Sequence, residues 1–234
     1  MRKNIYERNR QCGLTLVEIL VALVISLFLL AGLLQLFVST RQSSRIQENL
    51  SRVQENGRFA IEYVSRVVRL AGYRSRDTIE QEKSFREAFG VNAFQGGTQD
   101  GVEFITVRFE GENAGDGQIR NCLNQIINAS SVSSDTLRIS GNTLQCQAVP
   151  PLGGVAQTQP IVDDVESMQI LYGERVDTMM RYVPAASVSN WNNVFSVRIT
   201  LTLRTPENNL ADTVQPSGDR RLRRTFTTTV ALRN

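Results

Sequence analysis

Residues 13–18 read Gly-Leu-Thr-Leu-Val-Glu and join a short basic leader to a long apolar run. The run extends from Leu14 to Val38 and contains one charged residue, Glu18. A carboxylate in the hydrocarbon of a bilayer costs about 2.5 kcal/mol or more, and such a residue usually has a specific partner. Cleavage after Gly13 would make Leu14 a new N-terminus. Its ammonium group would then lie in the same bilayer layer as the Glu18 carboxylate of a neighbouring copy.

Two simpler interpretations of this N-terminus compete with that one. A secretory signal peptide has a positive region, an apolar stretch of about 7–15 residues and then a cleavage site. Here the apolar stretch is longer, and the candidate glycine precedes it. A plain signal anchor explains the leader and the apolar run. It does not explain an acid placed five residues after Gly13, so the spacing favours a processed membrane helix.

The pattern of glycine, hydrophobe, threonine, leucine, hydrophobe and glutamate resembles the prepilin signal of type IV pilins and type II secretion pseudopilins. In that family a membrane peptidase cleaves after the glycine and methylates the exposed amine. The glutamate then helps to align subunits in a filament. The resemblance therefore implies cleavage between Gly13 and Leu14, N-methylation of Leu14, and a subunit-aligning role for Glu18. Leu14 stands where the family usually has phenylalanine.

The net charge of the chain comes from its leader. The chain has 234 residues, with 26 Lys and Arg against 23 Asp and Glu, for a formal charge of +3. Residues 1–13 hold four of the bases and one of the acids, so 22 of each remain after cleavage (26 − 4 and 23 − 1). Positive charge beside a membrane helix tends to stay cytoplasmic. The basic balance therefore indicates membrane orientation, and nucleic-acid binding is not expected.

Cleavage would also change the cysteine count. The chain has Cys12, Cys122 and Cys146, and an odd number in an exported protein suggests a free thiol. Removal of the leader removes Cys12, and a disulfide between the remaining two is expected outside the cytoplasm. It would close a loop of about 25 residues and stabilise the fold by about 3 kcal/mol in the chain-entropy model. Two buried free thiols are the alternative.

The composition argues against catalysis. The chain has no histidine, which removes the commonest general base and the usual partner of a nucleophilic serine or cysteine. It also lacks a phosphate-binding lysine loop and a dinucleotide-binding glycine pattern. Asp163, Asp164 and Glu166 are close in sequence, and we interpret them as a solvated face. We therefore predict a protein that is not an enzyme, with no cofactor and no metal site.

A single long helix is predicted at the N-terminus. The apolar half, residues 14–38, would be about 37 Å long and could span a bilayer with some tilt. Its small and polar residues share one stripe suited to close helix packing: Thr15, Glu18, Ala22 and Ser26. The half that follows, residues 39–72, is amphipathic. Its apolar stripe comprises Ile46, Leu50, Val53, Gly57, Ala60, Val64, Val67 and Ala71.

The helix is expected to run from Leu14 to Ala71, with Gly72 as its C-cap. Gly57 is expected to weaken it by about 1 kcal/mol relative to alanine and to permit bending or local melting. A generic coiled coil is the alternative to packing on a globular head. The strands that follow favour the head.

Strands dominate the remainder of the chain. Val194–Arg204 alternates most clearly, and Gly141-Asn142 marks a two-residue hairpin. Further strands are predicted at Gly101–Phe109, Asp135–Ser140, Thr143–Val149, Ile161–Tyr172, Met180–Val183 and Arg224–Leu232. Loops are predicted at 73–100, with one short helix near Ile79–Ala88, and at 110–117, 150–160 and 206–220. The fold class is α+β, a pilin-like long helix packed on a mainly antiparallel sheet, with a head of residues 73–234.

Later stretches resemble minor pilins of the PilW type. They are Val53–Tyr63 with Arg69–Tyr73, Val165–Ile170 with Tyr172-Gly173, and Thr227–Asn234. The resemblance implies a minor pilin that takes part in priming and assembly of type IV pili near the filament tip. The implied partners are other minor pilins, the major pilin, the prepilin peptidase, the inner-membrane assembly platform and the lipid bilayer. The implied location is the bacterial inner membrane, single-pass with a periplasmic head, and then the filament.

Two other functions stay open at this point. A J-type pseudopilin of a type II secretion system shares every feature up to residue 38. A tip adhesin or DNA-uptake subunit would use exposed basic residues, for which the candidates are Arg198, Arg204, Arg220, Arg221, Arg223 and Arg224. A solvated, charge-balanced surface is the simpler interpretation of these arginines, because they lack interleaved aromatic residues.

Overall fold

The computed structural model describes residues 15–79, 85–112, 118–149, 155–210 and 218–232. The cleavage site predicted between Gly13 and Leu14 lies outside these residues. The chain divides into two compact units, Met1–Glu48 and Asn49–Asn234. Helix α1, Leu16–Arg69, contributes to both, and the two units are described separately.

The first unit is described from residue 15 and consists of the N-terminal part of α1. The large apolar side chains from Leu16 to Val38 are all exposed. The Ser26 hydroxyl donates to the Ala22 carbonyl at 2.7 Å, so the helix itself satisfies this polar group. By length and composition, α1 could cross a membrane, and it is the one such helix among the described residues.

In the second unit, the remainder of α1 buries most of the predicted apolar stripe, although Leu50 is only partly buried. Val53, Ala60, Val64 and Val67 are at most 3% exposed, whereas polar residues of the opposite face, such as Arg52, Gln54, Glu55, Arg58 and Glu62, are exposed. The amphipathic pattern therefore identified the packed face correctly.

The end of α1 differs slightly from the prediction. The α-helix ends at Arg69, because the Leu70 and Ala71 N–H groups bond to carbonyls three residues earlier and tighten the last turn. Gly72 then takes the left-handed conformation (φ 72°) expected of a terminating glycine. Its N–H donates to the Arg108 carbonyl at 3.0 Å, which fixes the end of the helix to a strand.

The described strands of the head form three antiparallel groups. A five-stranded sheet has the order β1-β2-β5-β6-β7, a four-stranded sheet has the order β11-β10-β8-β9, and β3 pairs with β4. The first sheet comprises β1 (Phe94–Gln99), β2 (Val102–Glu110), β5 (Val132–Ser140), β6 (Thr143–Val149) and β7 (Gln157–Asp163). The second comprises β8 (Val165–Val176), β9 (Met179–Val183), β10 (Val194–Arg204) and β11 (Arg223–Ala231). The short pair is β3 (Ile119–Arg120) and β4 (Ile126–Ile127).

Short helices complete the head. They are α2 (Arg76–Ile79), α3 (Phe85–Phe89) and two 3-10 turns, Ala185–Ser187 and Trp191–Asn193. One hydrophobic core joins α1 to both large sheets, with Phe109, Leu137, Ile170 and Leu201 at 0–1% exposure. A long helix packed on antiparallel sheets is the predicted fold class, which is confirmed.

The prediction of a loop over 73–100 was wrong at its end, where β1 lies. This strand contains Gly96 and Gly97, residues that usually weaken a strand. Here they allow close packing, because a Cβ atom on Gly96 would lie 1.8 Å from the Tyr172 hydroxyl oxygen. A Cβ atom on Gly97 would lie 2.7 Å from the Phe104 ring. The glycines therefore mark contact with larger side chains rather than a turn.

The single strand predicted at Ile161–Tyr172 is two strands in different sheets. β7 begins at Gln157, inside the predicted 150–160 loop, and β8 begins at Val165. Between them Asp164 has a φ of 61°, a conformation that aspartate tolerates better than most residues. The chain changes sheets at this residue, so an unbroken apolar pattern hid a boundary.

Two local features depart from regular patterns. In β10, whose alternating pattern places Phe195 on the same face as Val197, a bulge between Val194 and Ser196 buries Val194 instead and leaves Phe195 partly exposed beside Arg175. Gly57, whose low helix propensity weakens α1, is buried, and a Cβ atom there would lie 2.2 Å from the Phe226 ring of β11, so this glycine serves close helix–sheet packing.

Candidate assembly site

The first turn of α1 holds the acid that the sequence singled out. The Glu18 N–H donates to the Thr15 carbonyl at 3.1 Å and is 3.3 Å from the Thr15 hydroxyl oxygen. Thr15 therefore acts as a helix cap, and Glu18 stands three residues after it, the spacing of a capping box. A carboxylate in a first turn is also favoured by the helix dipole. Glu18 is thus exposed at the start of an apolar surface.

That apolar surface is the largest exposed hydrophobic feature of the described chain. Its large apolar side chains, from Leu16 to Val38, are exposed along the whole segment. A continuous apolar surface of this kind marks contact with a membrane or with other proteins. Glu18 is its single charged group.

A second cluster, in the head, surrounds the cysteines. A disulfide joins Cys122 to Cys146, with their Cα atoms 6.3 Å apart. The Cys122 N–H donates to the Asp135 carboxylate at 2.7 Å, and the Tyr63 hydroxyl donates to the Cys122 carbonyl at 2.7 Å. The disulfide cluster, Tyr63, Cys122, Asp135 and Cys146, therefore connects α1 with β5 and β6.

Burial changes the acidity of two members of this cluster. Desolvation raises the pKa of Asp135 to about 6, against the opposing effect of hydrogen bonds from the Cys122 N–H and the Ser133 hydroxyl. Desolvation and the nearby Asp135 charge raise the pKa of Tyr63 to about 12. The phenol therefore stays protonated at neutral pH and keeps donating to Cys122.

We expect Asp135 to make the head more stable at mildly acidic pH than at neutral pH. Because its pKa is higher in the folded chain than in the unfolded chain, the folded state binds more protons between about pH 4 and 6. The free energy of unfolding should fall as the pH rises through this range, by about 3 kcal/mol from this group at most. Urea titrations of wild type and Asp135→Asn between pH 4 and 7.5 measure the effect. Parallel pH profiles for the two proteins would contradict it.

The arginines near β11 are mostly engaged within the chain. Arg223 forms a two-pronged ion pair with Glu166, with one N–O distance of 2.9 Å, and also contacts Asp219. This hydrogen bonding lowers the pKa of Glu166 and raises that of Arg223. Arg221 donates to the Thr205 carbonyl at 2.6 Å. Glu166, read from the sequence as part of a solvated face, is therefore an ion-pair partner of Arg223.

The described residues contain no group of three or more His, Cys, Asp or Glu side chains that could hold a metal ion. Sequence reasoning did not identify Tyr63 or Asp135 as neighbours of the disulfide. No local signal could have found them, because Tyr63 and Asp135 lie in α1 and β5 and meet Cys122 only through the fold.

Models of two known protein families match this chain, one near its N-terminus and one in its C-terminal part. The model for the prokaryotic N-terminal methylation motif matches residues 8–34, and the model for type IV pilus-assembly protein W, PilW, matches residues 126–234. Together the two matches support a type IV minor pilin of the PilW type. The methylation motif covers the leader junction and Glu18, and the PilW match covers β4 to β11, which include the whole four-stranded sheet.

Two solved structures similar to this chain are a type IV-like pilin and a pseudopilin complex. A type IV-like pilin from Thermus thermophilus aligns at 14% identity and a TM-score of 0.45, over 80% of this chain and 97% of that one. A complex of two pseudopilins from the type 2 secretion system of Vibrio vulnificus aligns at 14% identity and a TM-score of 0.41, over 80% of this chain and 95% of the other. No curated protein sequence matches this chain.

Proposed function

We propose that this chain primes and assembles type IV pili as a structural subunit, through contacts made by the N-terminal half of α1. Prepilin peptidase would cut between Gly13 and Leu14 and methylate the new amine. Glu18 of one subunit would then pair with the Leu14 amine of its neighbour. The observation that supports this most directly is an exposed apolar helix whose one charged side chain stands in its first turn.

The proposed location follows from the same surface. Before assembly, residues 14–38 would cross the inner membrane, with the basic leader on the cytoplasmic side and the head in the periplasm. The disulfide between Cys122 and Cys146 fits an oxidising compartment. During assembly, other minor pilins and the major pilin would replace lipid around the helix. The role is structural rather than catalytic.

Glu18→Ala is expected to reduce incorporation of this subunit into sheared pili by about tenfold or more. Without the carboxylate, a neighbouring amine would remain unpaired in hydrocarbon, at a cost of about 2.5 kcal/mol or more. Immunoblots of the sheared-pilus and membrane fractions measure the distribution of the protein.

Ser26→Ala is the matched control for this substitution. It also removes a polar group from the apolar half of α1, but the Ser26 hydroxyl already bonds to the Ala22 carbonyl of the same helix. We expect it to leave incorporation unchanged. Mass measurement should show that both variants lose residues 1–13. Wild-type incorporation of a correctly cleaved Glu18→Ala chain would refute the proposed pairing.

Deletion of the gene separates the pilus role from the pseudopilin alternative. Loss of surface pili and twitching with normal protein secretion supports the pilus role. Loss of secretion with normal piliation would instead assign the chain to a type II secretion system.

A further inference from the structure

The outer edge of β11 has the properties of a binding site for an added strand. β11 is the edge of the four-stranded sheet and pairs only with β10 among the described strands. Nine residue pairs join the two strands, from Ser196 and Ala231 to Arg204 and Arg223. Residues 225–231 contain neither proline nor charge. A long uncharged edge of this kind readily pairs with another strand.

The register shows which backbone groups of β11 are free to bind. The Leu232 N–H donates to the Phe195 carbonyl and the Thr205 N–H donates to the Leu222 carbonyl, both at 2.8 Å. Because hydrogen-bonded pairs alternate in an antiparallel ladder, the even-numbered residues of β11 bond to β10. The odd-numbered residues therefore direct their N–H and C=O groups outward, and within the described chain these groups have no hydrogen-bond partner: Thr225, Thr227, Thr229 and Ala231.

The other edge strands of the two large sheets carry features that discourage pairing. β7 contains Pro160 and an irregular register beside it. β9 has only five residues and includes Arg181. β1 contacts the 3-10 turn Ala185–Ser187. Short strands, charges, prolines and covering segments are the usual protections of a sheet edge. β11 has its two charged residues, Arg223 and Arg224, at one end, and its other seven residues carry no charge or proline, which singles out that stretch among the described edges.

The side chains around this edge indicate what kind of strand fits. On one face, Thr225, Thr227 and Thr229 are exposed, with the Thr227 hydroxyl 3.1 Å from that of Thr200. On the other face, Phe226 is only partly buried against Gly57. A strand with polar and apolar side chains in alternation would match both faces. Arg224, at the end of the edge, is exposed and has no ion-pair partner among the described residues, so it favours a carboxylate.

We propose that the outer edge of β11 receives an extended segment of a partner polypeptide, which joins the four-stranded sheet as a fifth strand and places a carboxylate beside Arg224. The segment alternates polar and apolar side chains. Backbone hydrogen bonds supply most of the affinity, as in other cases of strand addition. This interface is in the head and is separate from the helix contacts made through Glu18.

Photo-crosslinking of the full chain in cells tests the proposal. A photoreactive amino acid replaces Thr225 in one variant and Thr229 in another. Both should capture the same partner polypeptide. The two attachment points should lie about four residues apart in one segment, because paired strands match residue for residue and positions 225 and 229 are four residues apart. The same replacement of Thr158 on the proline-containing edge of β7 is the control and should not capture that segment. The proposal would be overturned by capture of a second copy of this chain, of nucleic acid or of lipid. It would also be overturned by attachment points scattered over the partner, or by no capture at all.

Proline at an outward position tests the role of the backbone. Thr227→Pro removes an N–H that points away from β10, so the ladder within the sheet remains intact. Combined with the photoreactive residue at 225, it should reduce crosslinking about tenfold, the factor expected from one lost hydrogen bond and the added steric conflict. Thr227→Ala removes the same side chain and keeps the N–H, so it should crosslink like wild type. Equal crosslinking by the proline and alanine variants would overturn the proposal.

The fluorescence of Trp191 in the detergent-solubilised full chain verifies that the proline variant is folded. If it is not, Thr229→Pro against Thr229→Ala repeats the comparison at another outward N–H. The result is independent of the proposed function. Absence of crosslinks from the photoreactive residues at 225 and 229, in a chain that is otherwise wild type and normally incorporated, defeats this inference alone. Normal incorporation of Glu18→Ala defeats the helix pairing alone.

Discussion

Replacing Cys122 and Cys146 together with alanine is expected to lower the free energy of unfolding of the head by about 3 kcal/mol. The two cysteines are 24 residues apart, and the bond between them restricts the unfolded chain. Cys146 is fully buried in the middle of β6, so alanine avoids placing a hydroxyl there. The disulfide is therefore expected to supply a large part of the stability typical of a domain, about 5–15 kcal/mol.

Urea titration of the detergent-solubilised full chain measures this loss. Trp191, the single tryptophan, reports on the head because its ring lies 5.0 Å from that of Tyr172 and 6.0 Å from that of Phe94. A reducing agent should shift the unfolding midpoint of the wild type toward that of the double variant. It should leave the midpoint of the double variant unchanged. An unchanged unfolding midpoint in the double variant would refute the expected contribution.

Gly111→Ala is expected to destabilise the head by about 3 kcal/mol, at the upper end of the cost of overpacking. A Cβ atom on Gly111 would lie 2.2 Å from the carbonyl oxygens of both Ile127 and Asn128. These are backbone atoms, so no side-chain rotation relieves the conflict. The Gly111 N–H also donates to the Ser131 carbonyl at 2.9 Å, which fixes the segment in place.

Gly57→Ala is the matched comparison, since it adds the same methyl group against a movable neighbour. The Phe226 ring is a partly exposed side chain and can rotate away. Alanine also improves helix propensity by about 1 kcal/mol, which offsets part of the cost. The same urea titration should therefore show a smaller loss for Gly57→Ala than for Gly111→Ala. Equal losses in the free energy of unfolding would contradict the expectation that backbone neighbours make the added methyl group more costly than a movable side chain does.

Periodic elements of this fold were predictable because burial on one face leaves a local pattern. The stripe of α1 predicted residues that are buried, such as Val53 and Val64. The alternation in Val194–Arg204 gave both ends of β10. The hairpin between β5 and β6 followed from Gly141 and Asn142, which both have positive φ values (59° and 65°).

Features set by long-range contacts were not predictable in this way. β1 was missed because Gly96 and Gly97 suit a turn locally. Gly96 packs against Tyr172, which is far along the chain, and Gly97 packs against Phe104, its partner on the adjacent strand β2. The change of sheet at Asp164 depends on one backbone conformation within an apolar run. An apolar sequence pattern indicates that a residue is buried, but it does not indicate which sheet the residue belongs to.

The same difference between local patterns and long-range contacts separates Glu18 from the residues around the disulfide. Glu18 was identifiable because a single acid in an apolar run is conspicuous at the level of composition. Asp135 and Tyr63 were not, because an acid and a tyrosine in amphipathic elements are ordinary until the fold brings them to Cys122. The ion pair of Arg223 with Glu166 likewise joins residues that are 57 positions apart.

The disulfide cluster has a mechanical consequence. A tensile load on α1 at Tyr63 would pass through its hydroxyl to the Cys122 carbonyl, and from there through a covalent bond to Cys146. Cys146 lies in β6, an inner strand that pairs with β5 and β7 on its two sides. The load would therefore reach the five-stranded sheet at an inner strand and would be shared by the two hydrogen-bond ladders of that strand. It would not peel a single strand from the edge of the sheet.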